Sequence, residues 1–256
     1  MNGTIKVLWK RDLVRFFRQR SRLAGALAQP LLFWLILGGG LDRSFTVPGT
    51  GMGYREYFFP GVIFMVVLFT SIFSTMSLIE DRHAGFLQAV MVAPAGRASI
   101  VLGKTLGGVS VAVIQALLVL CMAPLAGFHL SNVDWLAVIQ VLLFSSFGLT
   151  AIGFALAWWL DSVQGYHAVM SVLLIPAWVV SGAMFPVQGG SPWLTVAMRV
   201  NPITYGVEGL RRALYGGHLP AGVGISGSSA MLEAGVLTVF AFVALGIATA
   251  TCSRRT

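Results

Sequence analysis

The sequence predicts an all-α integral membrane protein, a single transmembrane domain over residues 1–256, and three observations lead there. Hydrophobic residues make up 57% of the chain and charged residues only 10%, whereas soluble domains carry about 25% charged residues. Mean hydropathy is +0.83. Stretches without Asp, Glu, Lys or Arg recur at 23–41, 58–79, 105–128, 135–160, 168–185 and 234–252. Each has the length, about 20 residues, that carries a helix across the hydrocarbon core. No water is present there to satisfy backbone N–H and C=O groups, so segments this long persist only as helices; a barrel would show short alternating strands. Six transmembrane helices are expected.

Ahead of the first span, Ile5, Leu8, Trp9, Leu13, Phe16 and Phe17 recur at helical spacing, while Lys6, Lys10, Arg15, Arg18 and Arg22 fall on the other face. Residues 4–22 should form an amphipathic interfacial helix, with Lys10, Arg11, Arg15 and Arg18 turned toward anionic head groups. Its basic stretch is too long for a signal peptide, and a full-length span follows it. With Arg82, Arg97, Lys104, Arg254 and Arg255 it places most Lys and Arg on one side, so both termini are expected in the cytoplasm. The net charge of +8 therefore points to a membrane surface and not to nucleic acid.

Between the second and third spans lies a short charged island, from Glu80-Asp81-Arg82 to Arg97 and Lys104. Asp81 suits a helix N-cap, residues 83–93 put Phe86, Leu87, Val90 and Met91 on one face, and Pro94 and Gly96 stop the helix. A helix over 81–93 barely holds alone in water. Its apolar face needs a surface, and docking to a partner outside the membrane is the functional reading, set against that of a plain connector. At the start of the third span Gly103 and Gly107 form a small-xxx-small pair, read as close helix packing.

His167 and Arg199 bracket a charge-free segment too long for one crossing, broken by Pro186, Gly189, Gly190, Ser191 and Pro192. Trp193 to Val200 should re-enter the membrane partway, because irregular backbone at that depth must be covered by protein or line a watery cavity. Asn201-Pro202 then reads as the N-cap and first residue of a helix that runs to Tyr215 and stops at Gly216. On it Glu208 can reach Arg211 and Arg212 at three- and four-residue spacings. An outer gate and a plain surface helix both fit this pattern.

No catalytic residue, metal or cofactor is expected. Gly103-Lys104-Thr105 looks like the end of a phosphate-binding loop, but the glycine required at 98 is Ala98. Gly222, Gly224 and Gly227 match a dinucleotide pattern by letters alone, just ahead of a membrane helix. Gly224-Ile225-Ser226-Gly227 resembles the nucleophile motif of rhomboid-type intramembrane proteases, yet no histidine follows Ser226 to activate it. His83, His129, His167 and His218 lie too far apart for a ligand set, and Cys121 and Cys252 read as small apolar packers.

Glu80-Asp81-Arg82, Gly85-Phe86-Leu87, Val92-Ala93-Pro94, Arg97 and Gly103-Lys104, together with Asn201-Pro202, Thr204-Tyr205, Glu208 and Arg211, resemble the membrane subunit of type-2 ABC exporters. The drug and lipo-oligosaccharide export branch is the most similar, and the resemblance covers nearly the whole chain. It implies that 81–93 is a coupling helix seated in a cleft of a separate cytoplasmic ABC ATPase, with Glu80, Asp81, Arg82, Gly85, Phe86, Leu87, Val90, Met91, Pro94 and Arg97 serving that contact. It implies paired outer gate helices over 193–216 that carry Asn201, Pro202, Thr204, Tyr205, Glu208 and Arg211. A second copy of the chain would face the first around the export path, in a bacterial-type inner membrane. ATP would be bound by the partner, so the chain itself would be no enzyme.

The cargo so implied is a drug, glycolipid, lipo-oligosaccharide or polysaccharide, and apolar spans suit such an amphipathic or lipid-linked molecule better than an ion. The alternative is a self-sufficient secondary transporter or channel. Such proteins place ionisable groups near mid-membrane, where these spans offer mainly Gln115, Gln140 and Gln164.

Overall fold

A computed structural model describes residues 2–18, 20–42, 51–87, 90, 96–186, 191–220, 223–225 and 228–254, with only the backbone of residues 2, 20–24 and 254. Among the described residues the regular structure is helical, and five helices are long and apolar enough to cross a membrane. In chain order the helices are α1 (Asn2–Arg18), α2 (20–41, with a π-helical turn Trp34–Gly38) and α3 (Tyr54–His83). Next come α4 (Arg97–Leu120), the short α5 (Ala123–Ala126), α6 (Trp135–Trp159) and α7 (Val163–Ala183). The last are α8 (Pro192–Val200), α9 (Pro202–Leu214) and α10 (Ala230–Arg254). The five long spans are α3, α4, α6, α7 and α10, and the first of the six expected spans corresponds to the shorter apolar helix Gly25–Leu41 in α2.

The bundle is built around α3. Phe58, Phe59, Val62, Ile63, Val66, Val67 and Leu68 are all fully buried, and a helix that is apolar on every face belongs inside a core. Helices α2, α4, α6 and α9 pack around it. By contrast α10 packs on α6 and leaves Val239, Phe242, Val243 and Ile247 exposed, a wall suited to lipid.

The amino-terminal helix, expected along the inner leaflet, also has a protein neighbour. It packs along α4. A Cβ on Gly103 would meet Leu8 Cβ at 3.0 Å and the Ile5 carbonyl oxygen at 3.2 Å, and a Cβ on Gly107 would meet Asp12 Cβ at 3.0 Å. The small pair thus lets two backbones approach, and Leu8 is buried between them. Val7, Trp9, Val14 and Phe17 stay exposed, and so do Lys6, Lys10 and Arg18, so the open side of α1 mixes apolar and basic residues.

The charged island also folds differently from a helix capped at Asp81. The apolar residues Met76, Leu78 and Ile79 are buried and carry α3 past its expected end, so Asp81 lies inside a helix whose last residue is His83. Gly85 then takes the left-handed conformation, φ +74, and its N–H bonds Arg82 O at 3.1 Å, the arrangement that stops a helix. Phe86, Leu87 and Val90 are helical again beyond this turn. Met91, Val92, Ala93 and Pro94 lie outside the described residues, as do Arg43, Gly189, Gly190, Gly222, Ser226, Gly227 and Arg255. At the far side, Arg97 and Lys104 belong to the first turns of α4.

Gly107→Leu should lift α1 off α4. In a Cys121→Ser background, a cysteine placed at Leu8 is expected to react slowly with a water-soluble maleimide in the parent and several-fold faster when Gly107→Leu is added. Equal rates would show that the glycine pair does not hold α1.

Candidate functional site: a charged hub and an outer helix

Six charges, three of each sign, meet at one end of the bundle, where α1, α3 and α4 come together. Asp81, 3% exposed, accepts from Arg11 through both oxygens at 2.6 and 2.9 Å, from Lys104 Nζ at 2.6 Å and from Arg15 Nη1 at 3.2 Å. Each carboxylate oxygen thereby takes two donors, which uses its full accepting capacity. Lys104, 6% exposed, turns its ammonium to Asp81, to Asp12 Oδ1 at 3.1 Å and to Ser77 Oγ at 3.4 Å. Arg15 also binds Glu80. Buried charge is tolerated only when it is paired and hydrogen-bonded, and here the pairing is complete. Burial pushes the Asp12 carboxyl above its ordinary range, against the pull of Lys104.

Two further cations tie neighbouring helices to this hub. Arg82 binds Asp161 and donates to the Trp158 carbonyl at 2.9 Å, joining α3 to the end of α6. Arg97 donates to the Ser253 carbonyl at 2.9 Å, joining α4 to the end of α10. Glu80, Asp81, Arg82 and Arg97, which the resemblance assigned to a partner contact, are therefore engaged within the bundle. Arg11 and Arg15 are likewise held by acids and not turned to head groups, whereas Lys10 and Arg18 are exposed. Leu87 is buried, and Phe86 lies half-buried under the Arg11 guanidinium, 3.8 Å from the ring centroid. His83 and Ala84 face outward beside it.

The reading of the sequence missed Asp12 and the partners of Lys104. A signal was present: Asp12 is the sole acid in residues 1–41, one residue from Arg11 and three from Arg15, and Lys104 sits between the two packing glycines.

At the other end, α7 breaks. Gly182 has φ +78 inside the π-helical turn Val179–Ala183, a conformation side chains rarely adopt. Its carbonyl accepts from Tyr57 OH at 2.7 Å and from Arg211 Nη2 at 3.2 Å. Arg211 is 1% exposed and lies over the Tyr57 ring at 4.4 Å, so one cation of α9 and one phenol of α3 satisfy the broken backbone.

Asn201 caps α9 as expected, accepting from Ile203 N at 3.0 Å, while its amide donates to the Ala177 carbonyl of α7 at 2.7 Å. Pro202 holds the first turn, Tyr205 OH reaches back to the Arg199 carbonyl of α8 at 2.8 Å, and Thr204 is fully buried. The expected pairing of Glu208 with Arg211 and Arg212 is replaced by longer-range partners. Arg212 holds Glu233 of α10 in a bidentate pair at 2.8 and 3.0 Å. Glu208 Oε1 accepts the Ile225 N–H at 2.5 Å, and its Oε2 has no hydrogen-bond partner among the described residues. Burial pushes the Glu208 carboxyl above its ordinary range, with the Ile225 bond and Arg211 opposing. Tyr215, just past α9, donates to Glu56 at 2.6 Å.

A bundle of apolar spans, with an ion-paired rim at one end and a capped helix before the last span at the other, is the architecture of a multi-pass membrane protein. The chain belongs to the ABC-2 type transporter family, which it matches over residues 3–215. It is 31% identical over 209 residues to the putative transport permease ycf38 of Cyanophora paradoxa, covering 80% of this chain and 72% of that one. It is 22% identical to the daunorubicin resistance ABC transporter permease protein DrrB1 of Streptomyces coeruleorubidus, over 94% of this chain and 84% of the relative. Similarity to the inner membrane transport permease YadH of Escherichia coli is 25% identity, over 92% and 89%.

Asp81→Asn takes from Arg11 the carboxylate it pairs with and leaves Lys104 with Asp12 alone. Removing one partner of a buried pair costs about 3–5 kcal/mol, less here because about a third of Arg11 is open to water; the thermal midpoint should fall clearly, and Asp81→Leu with Lys104→Met should recover part of the loss. A midpoint unchanged in Asp81→Asn would remove the hub. For Glu208 the sign is opposite to that of a salt-bridged acid. Its raised folded value favours the protonated form, so its contribution to stability is present at acid pH and lost as pH rises through that value. The stability advantage of Glu208→Gln over the parent should therefore grow as pH rises above the ordinary range of a glutamate; an advantage independent of pH contradicts the assignment.

Proposed function

We propose that this chain is the permease subunit of an ATP-driven exporter, in which two copies form the path for an amphipathic or lipid-linked cargo and each docks one cytoplasmic ABC ATPase. The observation that carries this reading is that one helix, α3, holds Asp81 of the hub at one end and Tyr57 of the α7 break at the other. Its 30 residues span roughly 45 Å at 1.5 Å per residue, through one tighter turn at Thr75, whose N–H bonds the Ile72 carbonyl.

Phe86 follows the Gly85 turn directly and rests on Arg11. A partner groove that takes up residues 83–90 thus presses on the hub, and the hub moves α1, α3 and α4 together. At the outer end the same movement displaces Tyr57 beneath Gly182 and Arg211, which loosens α9 against α7. ATP binding by the partner supplies the force, and the packed helices shift as rigid bodies between inward- and outward-open arrangements. The proposed setting is a bacterial-type inner membrane with both termini cytoplasmic. Drug resistance in the name of one relative supports an amphipathic cargo.

Co-expression with candidate ATPases followed by detergent pull-down should recover a stable complex. Phe86→Asp should leave insertion and ATP hydrolysis intact while export falls at least tenfold. Normal export in Phe86→Asp removes the coupling role of this residue. Solute movement by the chain alone, down an ion gradient and without an ATPase, contradicts the exporter reading.

A further inference from the structure

Glu208 and Arg211 are each 1% exposed and stand three residues apart on α9, a spacing that makes side chains neighbours on a helix. Each keeps one buried polar atom without a partner among the described residues, Oε2 of Glu208 and Nε of Arg211, so these two do not bond each other. An ion pair is the ordinary way to bury either group. Arg211 instead turns Nη2 to two carbonyls, Gly182 at 3.2 Å and Tyr57 at 3.4 Å, at and beyond the long end of the usual range. The other charged and titratable groups around them are occupied. Arg212 and Glu233 of α10 hold each other, and Ser228 donates to Glu233 as well. From α3, Tyr57 donates to Gly182 and Glu56 takes the Tyr215 hydroxyl. Asp134 of α6 caps its own helix at Ala137 N, Arg199 of α8 is exposed, and His218 sits outside at the Gly216 carbonyl. The cation within reach of Glu208 is therefore Arg211.

From this arrangement we propose that Glu208 is a proton-binding site and, with Arg211, a clasp on the break in α7. With the proton bound, Arg211 holds the Gly182 carbonyl; when the proton leaves to solvent, the carboxylate draws Arg211 off it. A neutral carboxyl offers the guanidinium no charge, so the carbonyls and the Tyr57 ring keep it. A carboxylate offers a charge-assisted pair to the free Nε, stronger than two long bonds to neutral oxygens. Gly182 then retains the Tyr57 hydroxyl as its donor, and the break loosens. Burial holds the Glu208 carboxyl above its ordinary range, against the Ile225 bond and Arg211. The clasp is thus engaged at acid pH and released as pH rises through that raised value. It does not depend on the exporter reading; within that reading it sets how readily α9 loosens against α7.

The test uses the full chain in phosphatidylcholine nanodiscs. Difference infrared spectra over a pH series should contain a protonated-carboxyl component that titrates above the ordinary range of a glutamate and is missing from Glu208→Gln. Amide hydrogen exchange of residues 179–185 is read as the ratio of parent to Glu208→Gln at each pH, so that the intrinsic pH dependence of exchange cancels. The ratio should be near one at acid pH and rise about tenfold as the infrared component titrates, the value of a hydrogen bond from a charged donor. Adding Arg211→Gln to both proteins should flatten it, and Arg211→Lys, which keeps the charge without the planar fork, should flatten it in part; each variant is first checked for parental elution on size exclusion. A ratio flat across pH in the parent, a rise that survives Arg211→Gln, or the lack of a carboxyl component specific to Glu208 would overturn the proposal. No ATPase is needed for these readouts. A flat ratio leaves the exporter reading standing, and failure to find an ATPase leaves a titrating clasp standing.

Discussion

The structure depends on one buried carboxylate. Asp81 receives Arg11, Arg15 and Lys104 at once, and these cations come from two helices that approach α3 from different sides. None of the three helices can shift alone without leaving an ion unpaired in a site of low water content, where the penalty per uncompensated charge is several kcal/mol. The pair Gly103 and Gly107 makes the arrangement possible, because only a close approach of α1 to α4 brings Arg11 and Asp12 within reach of Asp81 and Lys104. Electrostatics and backbone proximity are thus one constraint at this rim. Arg82 and Arg97 extend it to α6 and α10, so five helices are tied together at this end.

The opposite end follows a different rule. There the expensive group is not a side chain but the carbonyl of Gly182, freed where α7 breaks. Unpaired backbone at membrane depth is not tolerated, and Tyr57 and Arg211 supply its donors. Arg211 itself sits over an aromatic face and against carbonyl dipoles, a softer environment than the carboxylates of the hub. This end is therefore the more easily rearranged of the two. The two ends thus contrast: the hub is fully paired, while at the α7 break Glu208 Oε2 and Arg211 Nε are unbonded among the described residues.

The sequence made the class and the spans legible because hydropathy in a membrane is nearly a one-dimensional property: each span is long, uncharged and separately visible. Local signals were read well where they act locally. Asn201 caps α9 with the side chain the Asn-Pro pair implies. Signals that depend on tertiary partners misled. Asp81 has the chemistry of an N-cap, but three cations distant in sequence draw it into a helix interior, and Arg212 prefers Glu233, 21 residues away, to a neighbour one turn back. The amphipathic pattern of α1 was legible, yet which face meets protein was not, because that is decided by two glycines on another helix.

The central claim is that α1 and the inner ends of α3 and α4 move as one body when the partner binds ATP. Trp9→Cys and Ser110→Cys, at positions whose native side chains hydrogen-bond across α1 and α4 at 2.9 Å, joined by a short bis-methanethiosulfonate bridge that forms a reducible disulfide at each end, would lock α1 to α4. ATP hydrolysis by the permease–ATPase complex in nanodiscs, compared between the bridged and reduced states, tests the claim most directly. The account predicts equal rates in both states. A rate that collapses on bridging and returns with reductant would mean that α1 must part from α4 during the cycle, and the single-body account would be wrong.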